Sequence, residues 1–488
     1  MNRLKELREA RGESLYYLVS VMRLSMVGTE TWRKDEQRPT TRKELSDETF
    51  RLIEEGKHKP PRDLAWLLAK HYGVKVNYLF GEPTENEKQT TGKTVKKEHK
   101  AMKEFYTYET AESVTLGHPD RASDFIADRL LDAYRQKDPN AHVAAEVMLS
   151  HEVCTIAGEV TGKDSDKINA QAVAEDALER IYGKTPDSFD VDLFPQSPDI
   201  EAAVDSGADQ GAGDQGIVYG YATNATFCRL PIATMLARRI TDRIDRYGDI
   251  GKLGPDGKAQ VTIAKNPDGT FDHIKTVVVS VQHTEESTHK QVEAKVRALI
   301  APVFEDYNLT ETEFLINPSG RFVLGGYEAD TGLTGRKLMV DTYGGLAHHG
   351  GGAMSGKDPS KVDRSGALMA RWVAVQIVEA GLAEEAEVSI AYAIGKAEPV
   401  AVDVRTNGTW NTAPDRYIAE AVRRAFDFRP KAIENALGLQ TVVWADTARL
   451  GAFYNDEFKW NKPDDAKIAE LNKQLKEVLH DAEDNTSN

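Results

Sequence analysis

GGGAMSGKDPSKVDRS, residues 350–365, sets two ways of building a polyphosphate site against each other. Gly351, Gly356 and Lys357 match the first seven positions of the loop G-x-x-x-x-G-K-[ST]. The eighth position is Asp358, where that loop needs a hydroxyl to hold Mg2+. Asp358 and Pro359 together predict a helix start, with the aspartate as N-cap and the proline at the first helical position. The helix then runs to a stop at Gly381. Lys357 in the lead-in and Lys361 one turn later bring two ammonium groups toward a helix N-terminus, an arrangement that suits phosphate. Asp363 adds a carboxylate able to hold a divalent ion bridging such phosphates. Taken alone, the run reads as a glycine-rich turn before a solvated, charged helix.

Its neighbours change that reading. Upstream lies NPSGRFVLGGYEADTGLTGRKLMVDTYGGLAHHGGG, where Arg321, Asp330, Arg336, Lys337 and Asp341 stand among closely spaced glycines and hydroxyl residues. Glycines permit close backbone approach to a ligand, and cations mixed with acids suit a metal polyphosphate. A second run, GADQGAGDQGIVYGYATN, carries Asp209 and Asp214 in a stretch that reads as neither a good helix nor a good strand. A third, TAESVTLGHPDRASDFIADRLLDAY, places His118 and Asp120 at a helix start with Pro119 in the first turn.

The chain has 488 residues, enough for two or more compact units. No apolar run approaches the length of a membrane span, and MNRLKELREARG lacks a signal-peptide core, so a cytoplasmic location is expected. Cys154 and Cys228 are too few for a disulfide framework or a cysteine-based metal site. A net charge of −16 argues against non-specific nucleic-acid binding by the molecule as a whole.

Residues 84–104 lie in a polar, Lys-rich stretch with almost no large apolar residues, which reads as a linker. Before it, residues 1–83 open with LKELREARGES and close with DLAWLLAKHYGVKVNYLFG, both amphipathic and helical. These ends resemble the phage-repressor-like helix-turn-helix family, which implies DNA binding. The middle, which holds both TETWRKDEQRP and TFRLIEEGKHKP, is longer than that family's pattern, and the unit has no basic stripe. A helical interaction module without DNA contact is the alternative.

After the linker, residues 105–488 mix element types. VAAEVMLS, CTIAGEVTG, AQVTIAK, HIKTVVVSVQH, EVSIAYAIG and PVAVDVRT read as strands. Residues 122–135, 291–300, 360–380 and 413–425 carry helical periodicity. Strands come in runs, so α+β with mixed or antiparallel sheets is expected. In the tail, Ile468, Leu471, Leu475 and Val478 form one helical stripe expected to pack on the body.

ESVTLGHPDR, GAGDQGIVYGYATN, INPSGRFVLGG, TGLTGRK, VDTYGGLAHHGGGAMSGKDPSKVDRS and YAIGKAEP stand in one order over the body. Together they closely resemble the S-adenosylmethionine synthetase (methionine adenosyltransferase) family. That resemblance implies three similar α+β subdomains around a pseudo-threefold axis, and a homodimer or homotetramer with shared active sites. It implies ATP and L-methionine as substrates, two Mg2+ per site and K+. The methionine sulfur attacks ribose C5′, and the expelled triphosphate is cleaved to phosphate and diphosphate.

By the same resemblance, His118 donates to the charge developing on the leaving oxygen, and Asp120 and Asp363 are the Mg2+ ligands. Lys258, Arg336, Lys337, Lys357 and Lys361 clamp the triphosphate, while Asp330 lies at the substrate junction. Glu146 matches the potassium carboxylate, Glu159 and Gln196 the methionine-binding pair, which Asp330 and Lys361 adjoin. Phe322 beside Arg321 matches the adenine stacker, and Asp214, Asp256 and Ala353 are further nucleotide contacts. QSPDIEAAVDSGADQ resembles the mobile loop over the site. Leu116 and the stretch GGYEAD depart from the usual pattern without removing a named charge. The rival function is a transcription regulator that uses an enzyme-like body to sense methionine, ATP or S-adenosylmethionine; a P-loop kinase is disfavoured by Asp358.

Overall fold

The computed structural model describes Leu68 and residues 105–197, 211–248 and 252–486. The linker, most of the expected mobile loop and all of the expected helix-turn-helix unit except Leu68 lie outside the described residues.

The body repeats one plan three times. First come β1 (Thr107–Val114), α1 (Pro119–Lys137), β2 (His142–Ser150), β3 (Val153–Thr161), α2 (Ala170–Tyr182) and β4 (Ser188–Phe194). The second round is β5 (Gly216–Thr223), α3 (Ile232–Tyr247), β6 (Leu253–Lys265), β7 (Phe271–His283), α4 (His289–Ile300) and β8 (Glu313–Ile316). The third is β9 (Gly332–Leu333), a short α5 (Leu338–Asp341), α6 (Val362–Glu379), β10 (Glu385–Tyr392), β11 (Ala401–Arg405) and α7 (Asp415–Ala425). The chain continues with α8 (Pro430–Leu437), α9 (Ala445–Ala448) and α10 (Asp465–Thr486).

Each round contributes an antiparallel hairpin, and in the first two rounds the strand after the second helix pairs in parallel with that hairpin. The first strand of each round leaves its own sheet. β1 pairs with β6, β5 with β10, and β9 with β2, all antiparallel. The exchange closes a ring of three sheets, ordered β4-β3-β2-β9, β1-β6-β7-β8 and β11-β10-β5. Such a cycle ties the three rounds into one body, because none of them completes its sheet alone.

One long helix covers each sheet: α1 packs on β2, α3 on β6 and β1, and α6 on β5 and β10. Alternation along β2 sends Val143, Ala145, Val147 and Leu149 inward with Ile126 and Leu130 of α1. Each fully buried large apolar side chain of this kind contributes roughly 1.5–3 kcal/mol. The six expected strands are present, as are the four helices in the body. The tail also forms as expected, with Leu471, Leu475 and Val478 of α10 buried.

Two local expectations are corrected. GIVYGYAT is β5, and its Gly220 serves packing: a Cβ there would lie 2.0 Å from the Ala370 carbonyl carbon, so α6 lies directly on the strand. The helix after GKDPS begins at Val362, with Lys361 as N-cap and no side-chain capping bond. Asp358 is drawn elsewhere. Its buried carboxylate accepts the amides of Val143 and Ser360, each at 2.8 Å, fastening the loop to the edge of β2. Gly381 does end the helix, in the left-handed conformation.

Candidate active site

The connection between the first strand and first long helix is short in the first two rounds. In the third it grows to residues 334–361 and carries most of the predicted cations. Two groups of charged side chains result, and no hydrogen bond or ion pair among the described residues joins them.

The first group gathers where β1 meets α1. Thr115 donates to the Pro255 carbonyl at 2.7 Å, the Leu116 amide to Asp245 at 3.0 Å, and Tyr182 to the Gly117 carbonyl at 2.9 Å. The departure at Leu116 thus sits at a backbone clamp that does not depend on its side chain. This clamping delivers His118 as N-cap of α1, its Nδ1 accepting the Asp120 amide at 3.2 Å. Burial lowers the His118 pKa from 6.5 to about 3, helped by the positive fields of Lys337 and Lys258. With Nδ1 an acceptor, the ring proton belongs on Nε2, free to donate. Ring-nitrogen NMR should therefore find His118 neutral and Nε2-protonated at any pH above about 3 at which the protein is folded. An ordinary titration near 6.5 would contradict this assignment.

Asp120 is also buried, which by itself raises its pKa. The Lys337 ammonium at 2.5 Å and the Leu333 amide at 2.9 Å overcome that and hold it below the usual value. Arg336 stands 3.7 Å away. Asp256 on β6 accepts the Gly326 amide at 2.8 Å with one oxygen, while its other oxygen is buried without a partner. Burial raises its pKa, with Lys258 opposing and Asp330 reinforcing. Asp330 is exposed and accepts the Thr331 amide at 2.9 Å. Phe322 is half-buried near Gly325, and exposed Arg321 pairs with Glu285 at 2.8 Å.

The second group lies along β2. Gly356 crosses so close to this strand that a Cβ would fall 2.1 Å from the Ala145 carbonyl oxygen. Lys357 bridges Ala144, which on its other side pairs with Glu159 of β3, itself opposite Phe194 of β4. These residues and Glu146 therefore share the face of the sheet turned away from α1. Gln196 follows β4, its amide bonded to the Thr161 hydroxyl at 2.9 Å. Packing raises the Glu146 pKa, and Lys357 opposes the rise. Lys357 pairs with Asp363, in the first turn of α6, at 2.7 Å. Exposed Asp214 precedes Gly216, which approaches Asp363; Ala353 packs against Gly335. Lys258 and Lys361 have no side-chain hydrogen bond or ion pair among the described residues.

The donor chemistry fits Mg2+. Asp120 and Asp363 supply hard carboxylate oxygens, each now neutralised by one lysine. Among the described residues there is no group of three or more His, Cys, Asp or Glu placed to hold a metal. One protein carboxylate per ion, with phosphate and water completing the shell, is how Mg2+ is commonly bound beside polyphosphates.

Reading the residues one run at a time missed the scaffold beneath both groups. Asp120, Asp124, Asp128 and Asp132 recur every fourth residue on α1 and accept amides from distant segments. These are Leu333, Gly335 and Gly356 at 2.9 Å for the first three, and Trp444 at 2.8 Å for the fourth. The spacing was visible in DRASDFIADRLLDAY, but such a stripe ordinarily marks a solvated face. Glu387 on β10 was also missed; it accepts both the amide and Nδ1 of His348, at 2.8 and 2.9 Å, anchoring the glycine run.

Models of the S-adenosylmethionine synthetase N-terminal, central and C-terminal domains match residues 106–202, 209–322 and 324–462. The chain is 42% identical over 392 residues to an S-adenosylmethionine synthase of Akkermansia muciniphila, covering 76% of this chain and 98% of that one. The chain belongs to the S-adenosylmethionine synthetase family. Its similarity to the S-adenosylmethionine synthase of Deinococcus radiodurans is 41% over 401 residues, covering 75% of this chain and 97% of that one. To that of Fusobacterium nucleatum it is 43% over 387 residues, covering 75% and 99%. The three rounds of the fold fall within the three S-adenosylmethionine synthetase domain matches, while residues 1–105 and α10 lie outside them. Among the described residues no helix is long and apolar enough to cross a membrane.

Proposed function

We propose that this chain makes S-adenosylmethionine by attack of the methionine sulfur on ribose C5′ of ATP, then cleaves the expelled triphosphate to phosphate and diphosphate. The observation that carries the reading is a buried His118, held neutral by burial and by the positive fields of Lys337 and Lys258, beside an Asp120 that meets Lys337 and Arg336. A thioether needs no base to attack carbon. The site must instead orient two reactants and stabilise a highly charged leaving group. His118 Nε2–H donates to the leaving oxygen, and the lysines and Arg336 receive the triphosphate. Asp120 and Asp363 would hold two Mg2+, which offset phosphate charge when bound; Glu146 would hold K+. Glu159 and Gln196 would receive methionine, with Asp330 and Lys361 at its edge. Phe322 would stack on adenine, with Arg321, Asp214, Asp256 and Ala353 around the nucleotide.

As the family resemblance implies, the reading includes a second copy completing each site, in a homodimer or homotetramer. Purified protein, at least dimeric by light scattering, should convert ATP and methionine with Mg2+ and K+ to S-adenosylmethionine, phosphate and diphosphate. Mass spectrometry finding no product from folded protein would overturn the proposal and favour a sensing body.

Residues 1–83 are proposed to bind DNA, on the strength of their helix-turn-helix-like ends. Paired bodies would supply the twofold symmetry that such readers use. Selection from a random DNA pool should enrich one motif with the full-length protein, and binding should fall steeply with salt. No enriched motif, with or without S-adenosylmethionine, would make the unit a protein-interaction module.

A further inference from the structure

We infer that the buried Asp128–Arg364 pair is a positioning device for the phosphate and metal groups carried by Lys357 and Asp363, an inference that rests on the proposed reaction. Asp128 in the middle of α1 is fully buried, and Arg364 almost so. Arg364 Nη1 donates to Asp128 Oδ1 at 2.7 Å and Nη2 to Oδ2 at 3.0 Å, a two-pronged match of guanidinium to carboxylate. Nothing in the proposed chemistry uses either group. Both nevertheless reach the residues on each side of the reacting ones.

Asp128 Oδ1 also accepts the amide of Gly356, immediately before Lys357. Arg364 Nη1 reaches the carbonyl of Lys357 itself at 3.2 Å. Arg364 follows Asp363 directly, so its immobilisation fixes the first turn of α6 on which Asp363 stands. Behind the pair, Nη2 accepts no freedom either: it donates to the Thr447 hydroxyl at 3.0 Å, and the guanidinium lies 4.0 Å over the Trp444 ring. One buried ion pair therefore sets both the backbone under Lys357 and the helix turn under Asp363. Lys357 has a flexible stem, and its own ion pair with Asp363 is partly open to solvent. Without the clamp beneath, these two heads keep their charge and lose their registration.

The test uses the full-length protein with Asp128→Asn, Arg364→Lys and Arg364→Met, each checked for folding by circular dichroism and for assembly by light scattering. Two readouts separate positioning from simple structural damage: the split between kcat and the methionine KM, and calorimetric binding of Mg2+ with tripolyphosphate. Supporting groups of this kind commonly change metal affinity or activity by about 10–100-fold. In folded variants kcat should fall by about that factor, and tripolyphosphate should bind about tenfold more weakly, with methionine KM nearly constant. Arg364→Lys should retain more than Arg364→Met, because a lysine keeps one charge and one donor toward Asp128. Should Asp128→Asn fail to fold, Arg364→Lys still decides. Kcat and tripolyphosphate affinity within about twofold of the parent in folded variants, or losses that track only the folded fraction, would overturn the inference. If the parent protein makes no S-adenosylmethionine, the proposed reaction fails, and calorimetry still reads the clamp. A parent that binds no tripolyphosphate overturns both.

Discussion

Replacing Lys357 by alanine is expected to cut turnover by at least about 10²-fold while leaving stability nearly unchanged, and Asp363→Ala should do the same. Each removes one charged partner from the developing triphosphate, where a single preorganised contact contributes roughly 2.7–4 kcal/mol. The folded protein without substrate depends on them much less. Their mutual ion pair has side-chain exposures of 20% and 21%, so water can solvate whichever partner is left. Solvent-exposed pairs contribute about 0–1 kcal/mol to folding, and this partly open one is expected to add little more. Lys357→Ala should also let the Glu146 carboxyl rise further, since Lys357 is what opposes its upward shift. Turnover is read from S-adenosylmethionine formation and stability from thermal unfolding. Near-normal rates in both variants would return GGGAMSGKDPS to a glycine-rich turn before a charged helix.

How far such effects could be foreseen follows from what each residue touches. β2, β3, β7 and β11 were legible because their alternation is local and one face is buried in the core. β5 was not, since its glycines look like loop chemistry until Ala370 of α6 is seen lying on Gly220. β1 and β9 were obscured for a different reason: each completes a sheet made by another part of the chain. The cyclic exchange that unites the body is a long-range pairing, and no local window contains it.

The site divides along the same line. His118, Asp120, Lys337, Lys357 and Asp363 stand in short motifs dense in glycine and charge, and the structure pairs Asp120 with Lys337 and Lys357 with Asp363. Asp358 was misread because a helix N-cap and a clamp on a neighbouring strand begin with the same Asp-Pro signal. What decides between them is the Val143 amide, more than two hundred residues away in sequence. Asp124 and Asp128 were hidden by a similar ambiguity. A carboxylate stripe on a helix is ordinarily solvated, and only the arrival of residues 333–335 and 356 over α1 turns it into a row of buried acceptors.

That row sets up the largest expected loss of stability, which follows from Arg121→Met. The Arg121 guanidinium meets Asp341 at 2.5 Å and Asp124 at 3.4 Å, with side-chain exposures of 2%, 7% and 0%. Burial opposes its charge, but Asp341 and Asp124 more than restore it and raise its pKa. Methionine fills similar space and removes the cation, leaving Asp341 unpaired in the interior. Breaking one side of a buried pair commonly costs about 3–5 kcal/mol, and denaturant unfolding should show a loss of that order. Asp124→Asn is the contrasting variant. Burial pushes the Asp124 pKa from 3.8 up to about 8 against the pull of Arg121, so Asp124 is a weaker anionic partner than Asp341 and an asparagine there takes less from the Arg121 pairing. The sign of the pH dependence follows from the same shift. Between 3.8 and about 8 the unfolded chain has released a proton that the native state retains, so the Asp124 contribution to stability falls as pH rises through that window. Asp124→Asn should flatten this slope without the loss seen in Arg121→Met. An Arg121→Met protein less than about 1 kcal/mol weaker than the parent would show that Asp341 finds another cation. Arg238 is the one within reach, since its Nη2 donates to Val340 and Thr342 while Nε and Nη1 are buried without partners among the described residues.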